Sequence, residues 1–330
     1  MRSAFFISIN FIFILPVHAE IKTVLSILTP FQTLDNDLIN QFEKEHNICI
    51  RTEFTSTNYE YESRLRSDIR TYDIVIGMEQ ELSNLATLKL LNPTTLNQMQ
   101  TNTKNTPLGK KSKFSDIQNA YVTLAADPLG IAYFAKTVVQ KGPMSWDWLI
   151  KPNINPQWRQ RVFVPKDPRI IILLAILANQ EKISENTQSL APGSLGWIKS
   201  LLKQNAHSEM PLYTLFSIHK IHAAVVFFSQ YNALKNIIPD LVFGIPKKGT
   251  YYNRLAAGIS LNANEPALAK KFIAFLSAHS ESISTKTGLI DIATREQSFL
   301  KSSLKNWQVY DENLLLPKKI LSDIQKLMPD

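Results

Sequence analysis

Acidic residues at the ends of apolar runs carry the clearest chemistry in the sequence. Glu79 and Glu81 follow Tyr72-Asp73-Ile74-Val75-Ile76-Gly77, a short run stopped by glycine. Open α/β sheets bind ligands beyond the carboxyl ends of their strands, so paired carboxylates there stand where a ligand would sit. On an extended segment a spacing of two puts both on one side. At a helix start the same acids instead stabilise the helix dipole. Asp127, between Ala126 and Pro128, and Asp167, between Lys166 and Pro168, also fall at strand ends. Neither has a neighbouring nucleophile or base that would suggest hydrolysis.

The remaining candidate groups point away from catalysis and metals. His219 and His222 are three apart, and on a strand such positions face opposite sides and share no ion. The adjacent Tyr251 and Tyr252 are the donor type that ligates ferric iron. In a strand or turn, however, such a pair reads as one core ring and one surface ring, with no His, Asp or Glu nearby in sequence. Lys104, Lys110, Lys111 and Lys113 lie in a Thr-, Asn- and Lys-rich stretch over 101–116 without interleaved aromatics, which reads as a solvated loop rather than a phosphate or lipid patch. GxSxG, HExxH, GxxxxGK[ST] and GxGxxG are all absent. The residues thus give no enzyme, no cofactor and no metal site.

The elements that must position these acids alternate in type. Val24 to Leu28 reads as a strand, and Asp35 or Asn36 caps a helix with Leu38, Ile39 and Phe42 three or four apart. Ile48 to Phe54 is a strand, Tyr59 to Ile69 a helix, Tyr72 to Gly77 a buried parallel strand and Glu81 to Leu91 a helix. Ala120 to Ala135 reads as paired strands around Asp127-Pro128-Leu129-Gly130. Ser145 to Leu149 starts a short helix, and Arg161 to Pro165 is a strand. Ile170 to Leu177 is apolar all round and so a buried helix. Ile221 to Phe228 and Leu241 to Ile245 are buried strands, Glu265 to Leu276 an amphipathic helix with Pro266 in its first turn, and Pro317 to Met328 the last helix. Strands alternating with helices give an α/β chain, and no fixed-period repeat supports a solenoid.

The 330 residues suggest two domains of ordinary size. With 45% hydrophobic and 19% charged residues the composition is that of a folded chain. A formal charge of +8 is too diffuse to imply nucleic acid. Cys49, the one cysteine, excludes an intramolecular disulfide. Within Ile48-Cys49-Ile50 it reads as a small core residue. Residues 1–19 read as a secretory signal peptide: Arg2 is the charged segment, Ala4 to Pro16 the apolar one, and Val17-His18-Ala19 the cleavage site before Glu20. Losing Arg2 leaves a mature charge of +7 (8 − 1). The destination is an extracytoplasmic space, most simply a periplasm, and without a cysteine at the cleavage site no lipid anchor is expected.

The order of several short motifs gives a resemblance. Leu38-Ile39-Asn40-Gln41-Phe42-Glu43-Lys44-Glu45 precedes the strand from Ile48. Tyr72-Asp73-Ile74-Val75-Ile76, Leu129-Gly130-Ile131-Ala132-Tyr133, Ser145-Trp146-Asp147-Trp148-Leu149 and Asp167-Pro168-Arg169 follow. Ile245-Pro246-Lys247-Lys248-Gly249 and the helix Ala267 to Leu276 complete the series. Together they resemble the spermidine/putrescine branch of the extracytoplasmic solute-binding proteins. That resemblance implies a two-lobe (type II) periplasmic-binding-protein-like fold, with lobes at 20–128 plus 250–300 and at 129–249 plus 301–330. It implies a monomer that closes on a polyamine and delivers it to an inner-membrane ABC permease, with no nucleic acid involved.

A polyamine site calls for carboxylates against the ammonium ends and aromatic faces along the chain. Here the sequence departs from the family. Pro30-Phe31 stands where the family has a tryptophan, Met78-Glu79-Gln80-Glu81 replaces a Ser/Thr/Tyr segment, and Leu124-Ala125-Ala126-Asp127 replaces a glycine-rich one. Ile170 replaces a glutamate, Phe227 a tryptophan, and Asn253 and Leu255 a Trp and an Asp. Of the family's acids only Asp167 is matched. The expected cleft residues are Phe31, Asn58, Glu79, Asp127, Asp167, Phe227 and Asn253: acids as ammonium acceptors, Phe31 and Phe227 as walls, Asn58 and Asn253 as neutral partners. Asp73 and Trp146 are assigned to structure. The rivals are another small solute, such as an organic anion or a ferric complex, and a secreted interaction protein that kept the fold and lost its ligand.

Overall fold

A computed structural model describes residues 22–30, 34–55, 58–67, 71–93, 120–138, 142–151, 155–181, 189–206, 208–291, 308–309 and 318–328. The signal segment 1–19, Phe31 and the lysine-rich stretch 101–116 lie outside the described residues. The first part of the chain runs β1 (Thr23–Thr29), α1 (Asn36–His46), β2 (Ile48–Phe54), α2 (Asn58–Leu65), β3 (Ile74–Met78), α3 (Glu79–Thr87) and β4 (Tyr121–Phe134). Then come β5 (Val162–Phe163), α4 (Pro168–Asn179), α5 (Pro192–Gln204), α6 (Leu212–Ser217), β6 (Ala223–Phe227), α7 (Phe228–Ile237) and β7 (Leu241–Gly244). The chain closes with β8 (Tyr251–Ile259), α8 (Pro266–Ala278), α9 (Ser280–Thr287), β9 (Ile290–Asp291), β10 (Gln308–Val309) and α10 (Lys318–Gln325).

Local chemistry accounts for several boundaries. Asp35 caps α1 by accepting from the Asp37 amide, and α1 stops at Asn47 in the left-handed region. Pro168 and Pro266 occupy first-turn positions of α4 and α8, where a missing N–H costs nothing. Every residue of α4 from Ile170 to Ala178 is buried. Trp146 to Leu149 forms a single 3-10 turn rather than an α-helix. Trp146 is fully buried and donates to the Gly249 carbonyl at 3.0 Å, while Asp73 accepts from the Ser26 and Glu265 amides. Both are structural residues.

The strands form two sheet regions that share β4. In the first, β1 pairs in parallel with β2 and β3, and β8 runs antiparallel between β3 and β4. In the second, β4 lies between β6 and β7, with β5 parallel to β6. The expected pair of strands around Asp127 to Gly130 is therefore one strand of 14 residues, which leaves the first sheet after Pro128 and joins the second at Leu129. Pro128 cannot donate to a ladder, and this point of departure tolerates it. Leu25, Ile76, Leu255 and Phe272 pack one face of the first sheet, and Tyr61, Val75, Leu82 and Tyr121 the other. Trp146, Ile172, Leu174 and Val225 belong to the core of the second region, where α10 also packs through Ile320 and Ile324.

Cys49 corrects its expectation. It is exposed, on the face of β2 opposite Ile48, and Val24, its partner in register on β1, is exposed too. Ile48 points inward instead. Native protein is expected to release one equivalent of thionitrobenzoate with Ellman's reagent without denaturant. A thiol that reacts only after unfolding would contradict the placement.

Candidate functional site

The site follows from strand directions. Met78, the last residue of β3, lies opposite Leu255, which lies opposite Ala125 of β4. Phe227, the last residue of β6, lies opposite Leu129. The two strands run in opposite senses and end four residues apart along β4, a gap of about 13 Å. Helix α3 starts from one end and α7 from the other, so two helix N-termini flank a floor made of Ala125–Leu129 and Tyr252–Leu255. Asp127 and Asn253 are directly opposite in register in that floor. The two helix starts and the Asp127–Asn253 pair make up the candidate site.

Each carboxylate predicted here already has a partner. Glu79 begins α3 and is buried with Arg254 of β8, their side chains only 7% and 4% exposed. The guanidinium grips it with two bonds, Nε to Oε2 at 2.5 Å and Nη2 to Oε1 at 2.6 Å. The Tyr121 hydroxyl adds a bond at 3.3 Å. Burial, followed by the Glu79 charge, pushes the Tyr121 phenol well above its ordinary range. Glu81 turns away from the pair: its Oε2 accepts the Met78 amide at 2.7 Å, which ties off the start of α3.

Asp127 occupies the corresponding place for α7. Phe227, the residue before that helix, has no polar group to cap it, and Gln230 accepts the Phe227 amide at 3.0 Å. The Asp127 carboxylate, reaching across from β4, accepts the Ser229 amide at 2.9 Å and the Ser229 hydroxyl at 2.7 Å. Burial lifts its pKa to about 6, against the lowering effect of the bonds from Ser229 and Phe228. Asp167 caps α4 by accepting the Arg169 amide at 2.9 Å, and the Arg169 guanidinium grips both its oxygens at 3.0 and 2.9 Å. This pair is more open, with Arg169 37% and Asp167 26% exposed.

Of the other expected residues, Phe227 is half-buried at the head of α7, and Asn253 is half-buried in the floor. Asn58 opens α2, but its side chain lies outside the described residues, as does Phe31. Two expectations are corrected. Tyr251 and Tyr252 are both buried rather than one in and one out, and burial raises both phenols above their usual range. His219 and His222 flank a turn rather than sharing a strand, and their rings come to 6.3 Å between centroids. Arg161 lies 3.1 Å from His222 Nε2, and burial, then that charge, lower the His222 pKa. No cluster of three or more metal-ligating side chains exists among the described residues. Arg254, the partner that Glu79 needs, was not singled out from sequence; within Tyr252-Asn253-Arg254-Leu255 a charged residue at a strand position that alternation buries was the available signal.

A family model described as bacterial extracellular solute-binding protein matches residues 37–298. No curated protein sequence matches the chain. Among solved structures, the chain is similar to a spermidine/putrescine ABC transporter substrate-binding protein from Streptococcus pneumoniae, with 17% identity, a TM-score of 0.75, and 93% of this chain and 97% of that one covered. A lipoprotein of Treponema pallidum compares at 16% identity and a TM-score of 0.67, covering 92% and 97%. Ferric iron-binding protein A of Mannheimia haemolytica, in an open conformation, compares at 13% identity and a TM-score of 0.65, again covering 92% and 97%. At these identities the likeness establishes the two-lobe α/β fold. No helix among the described residues is long and apolar enough to cross a membrane.

Proposed function

The chain belongs to the bacterial extracellular solute-binding protein family, and from that premise we propose that it captures a small solute of no net charge between its lobes and presents it to an ABC permease. Cleavage after Ala19 would release it into the periplasm as a monomer, with lobes at 20–128 plus 250–300 and 129–249 plus 301–330. One observation supports the ligand class: the acids expected to face a cation are already engaged within the protein. Glu79 is matched by Arg254 and Asp167 by Arg169, and Asp127 is taken up by the Ser229 amide and hydroxyl. A di- or tricationic ligand would be desolvated against no uncompensated carboxylate among these, at a cost of several kcal/mol. An oxyanion fares no better, since the starts of α3, α4 and α7 each already hold a protein carboxylate or its equivalent. A neutral or zwitterionic solute suits a preorganised set of paired dipoles.

The polyamine reading remains the second one, and the Asp167–Arg169 pair favours it. Both side chains are partly open to solvent, so Arg169 can swing out and give Asp167 to an ammonium group. The Streptococcus pneumoniae structure, described as a spermidine/putrescine substrate-binding protein, points the same way. A thermal-shift panel on residues 20–330 separates the classes. Neutral sugars and zwitterionic amino acids are expected to raise the melting temperature, whereas spermidine, putrescine, citrate and ferric citrate leave it unchanged. Stabilisation by spermidine, abolished by Asp167→Ala, would replace the first reading with the second.

A further inference from the structure

We propose that Asp127 and Ser229 form an interlobe latch, with Asp127 acting as a positioning residue that fastens α7 of one lobe to the crossing strand of the other. The inference rests on the two-lobe reading above and goes beyond it in naming what holds the lobes. Three features carry it. Asp127 is the penultimate residue of β4 in the first sheet, just before the strand changes partners, whereas Ser229 belongs to the helix that follows β6 of the second. The contact supplies the N-terminal cap that Phe227 cannot, so it is part of how α7 ends. A second tie lies along the same helix: Asn232 Nδ2 donates to the Gly288 carbonyl, beyond α9, at 2.6 Å.

Between these ties runs a groove of about 610 Å³, lined among others by Ser229, Asn232, Ser284, Lys286, Gly288 and Asp291. The Ser284 hydroxyl faces a buried environment with no hydrogen-bond partner. Thus, among the described residues, polar contacts beside open space tie α7 to the first lobe. Such a joint can part without dismantling either core.

The latch has a definite pH dependence. Asp127 is 3% exposed, and burial holds its pKa near 6, above the ordinary 3.8. A raised carboxylate pKa means that the buried, latched arrangement binds the proton more tightly than an arrangement that lets Asp127 reach water. The latch is therefore strongest below about pH 4 and loosens as pH rises through about 6. The charges nearest Asp127 on the strands are engaged with other groups. Arg254, next to Asn253 on β8, holds Glu79, and Asp291, opposite Ala125 on β9, accepts from Ser280. Lys235 of α7 donates to the Pro239 and Leu241 carbonyls, and Glu281 and Lys286 of α9 lie across the groove.

Spin labels on the exposed native Cys49 and on Lys203→Cys of α5 would report the lobe arrangement by pulsed dipolar spectroscopy in ligand-free protein. The wild-type background is expected to show a second distance population that grows by up to about tenfold per pH unit between pH 4 and 6 and levels off above. Asp127→Asn keeps the acceptor but cannot ionise, so its distribution should stay single and independent of pH. Ser229→Ala should enlarge the second population at pH 7.5. An unchanged wild-type distribution across this range, or the same response in Asp127→Asn, overturns the latch. Because no solute is present, that failure is separate from failure of the ligand panel; circular dichroism melts of each variant exclude unfolding as the cause.

Discussion

Arg254→Ala is expected to lower the stability of the protein by about 3–5 kcal/mol, the cost of stranding a buried charge. Glu79 is bonded to Arg254 and to the Tyr121 hydroxyl, with only 7% of its side chain exposed. Replacing both partners by apolar residues, as in Glu79→Met with Arg254→Met, should restore much of the stability, because the pair's own desolvation cost disappears with it. Urea denaturation of the single and double variants measures this. Equal losses in the single and double variants would mean that the ion pair itself, rather than its uncompensated half, is what stabilises this part of the fold.

The second large effect is expected at Trp146. Its indole is fully enclosed in the core of the second sheet region and donates to Gly249, in the segment that carries the chain back toward β8. Trp146→Ala removes a large buried ring and leaves a cavity, a change that costs about 3–5 kcal/mol. It also frees the Gly249 carbonyl, so the return crossing should loosen. Trp146→Phe keeps most of the volume and loses only the hydrogen bond, at about 1 kcal/mol. Urea midpoints, together with hydrogen exchange at 245–250, test both statements. Unchanged protection at 245–250 in Trp146→Ala would show that the indole does not hold the crossing.

What could be read from sequence and what could not divide along a physical line. Helix α4 was legible because nine consecutive buried residues leave no polar face to misread, and the start of α1 was narrowed to Asp35 or Asn36 because capping is decided within three residues. Strand β4 was misread because Asp127-Pro128-Leu129-Gly130 has the composition of a turn, although here it lies extended across two sheets. Cys49 was misplaced because alternation gives the period but not the parity: Ile48 turns into the core and Cys49 faces out. The sequence pattern places the acids at strand ends, yet Asp127 lies inside β4, and the partners of Glu79 and Asp127 are out of reach of any local pattern. Arg254 is 175 residues from Glu79 and Ser229 is 102 from Asp127. Such pairings are products of strand order, which no local pattern contains. A sequence reading of charge at a cleft counts carboxylates and misses the groups that neutralise them.

Isothermal titration calorimetry of residues 20–330 puts the engagement of these acids to the most direct test. Spermidine is titrated at low and moderate salt beside the most stabilising uncharged or zwitterionic compound from the thermal panel. The uncharged solute is expected to saturate one site with an affinity that hardly changes with salt, and spermidine to give no saturable heat at millimolar concentration. Saturable, one-to-one binding of spermidine that weakens as salt rises would contradict the account, because it would require carboxylates that these ion pairs do not leave free.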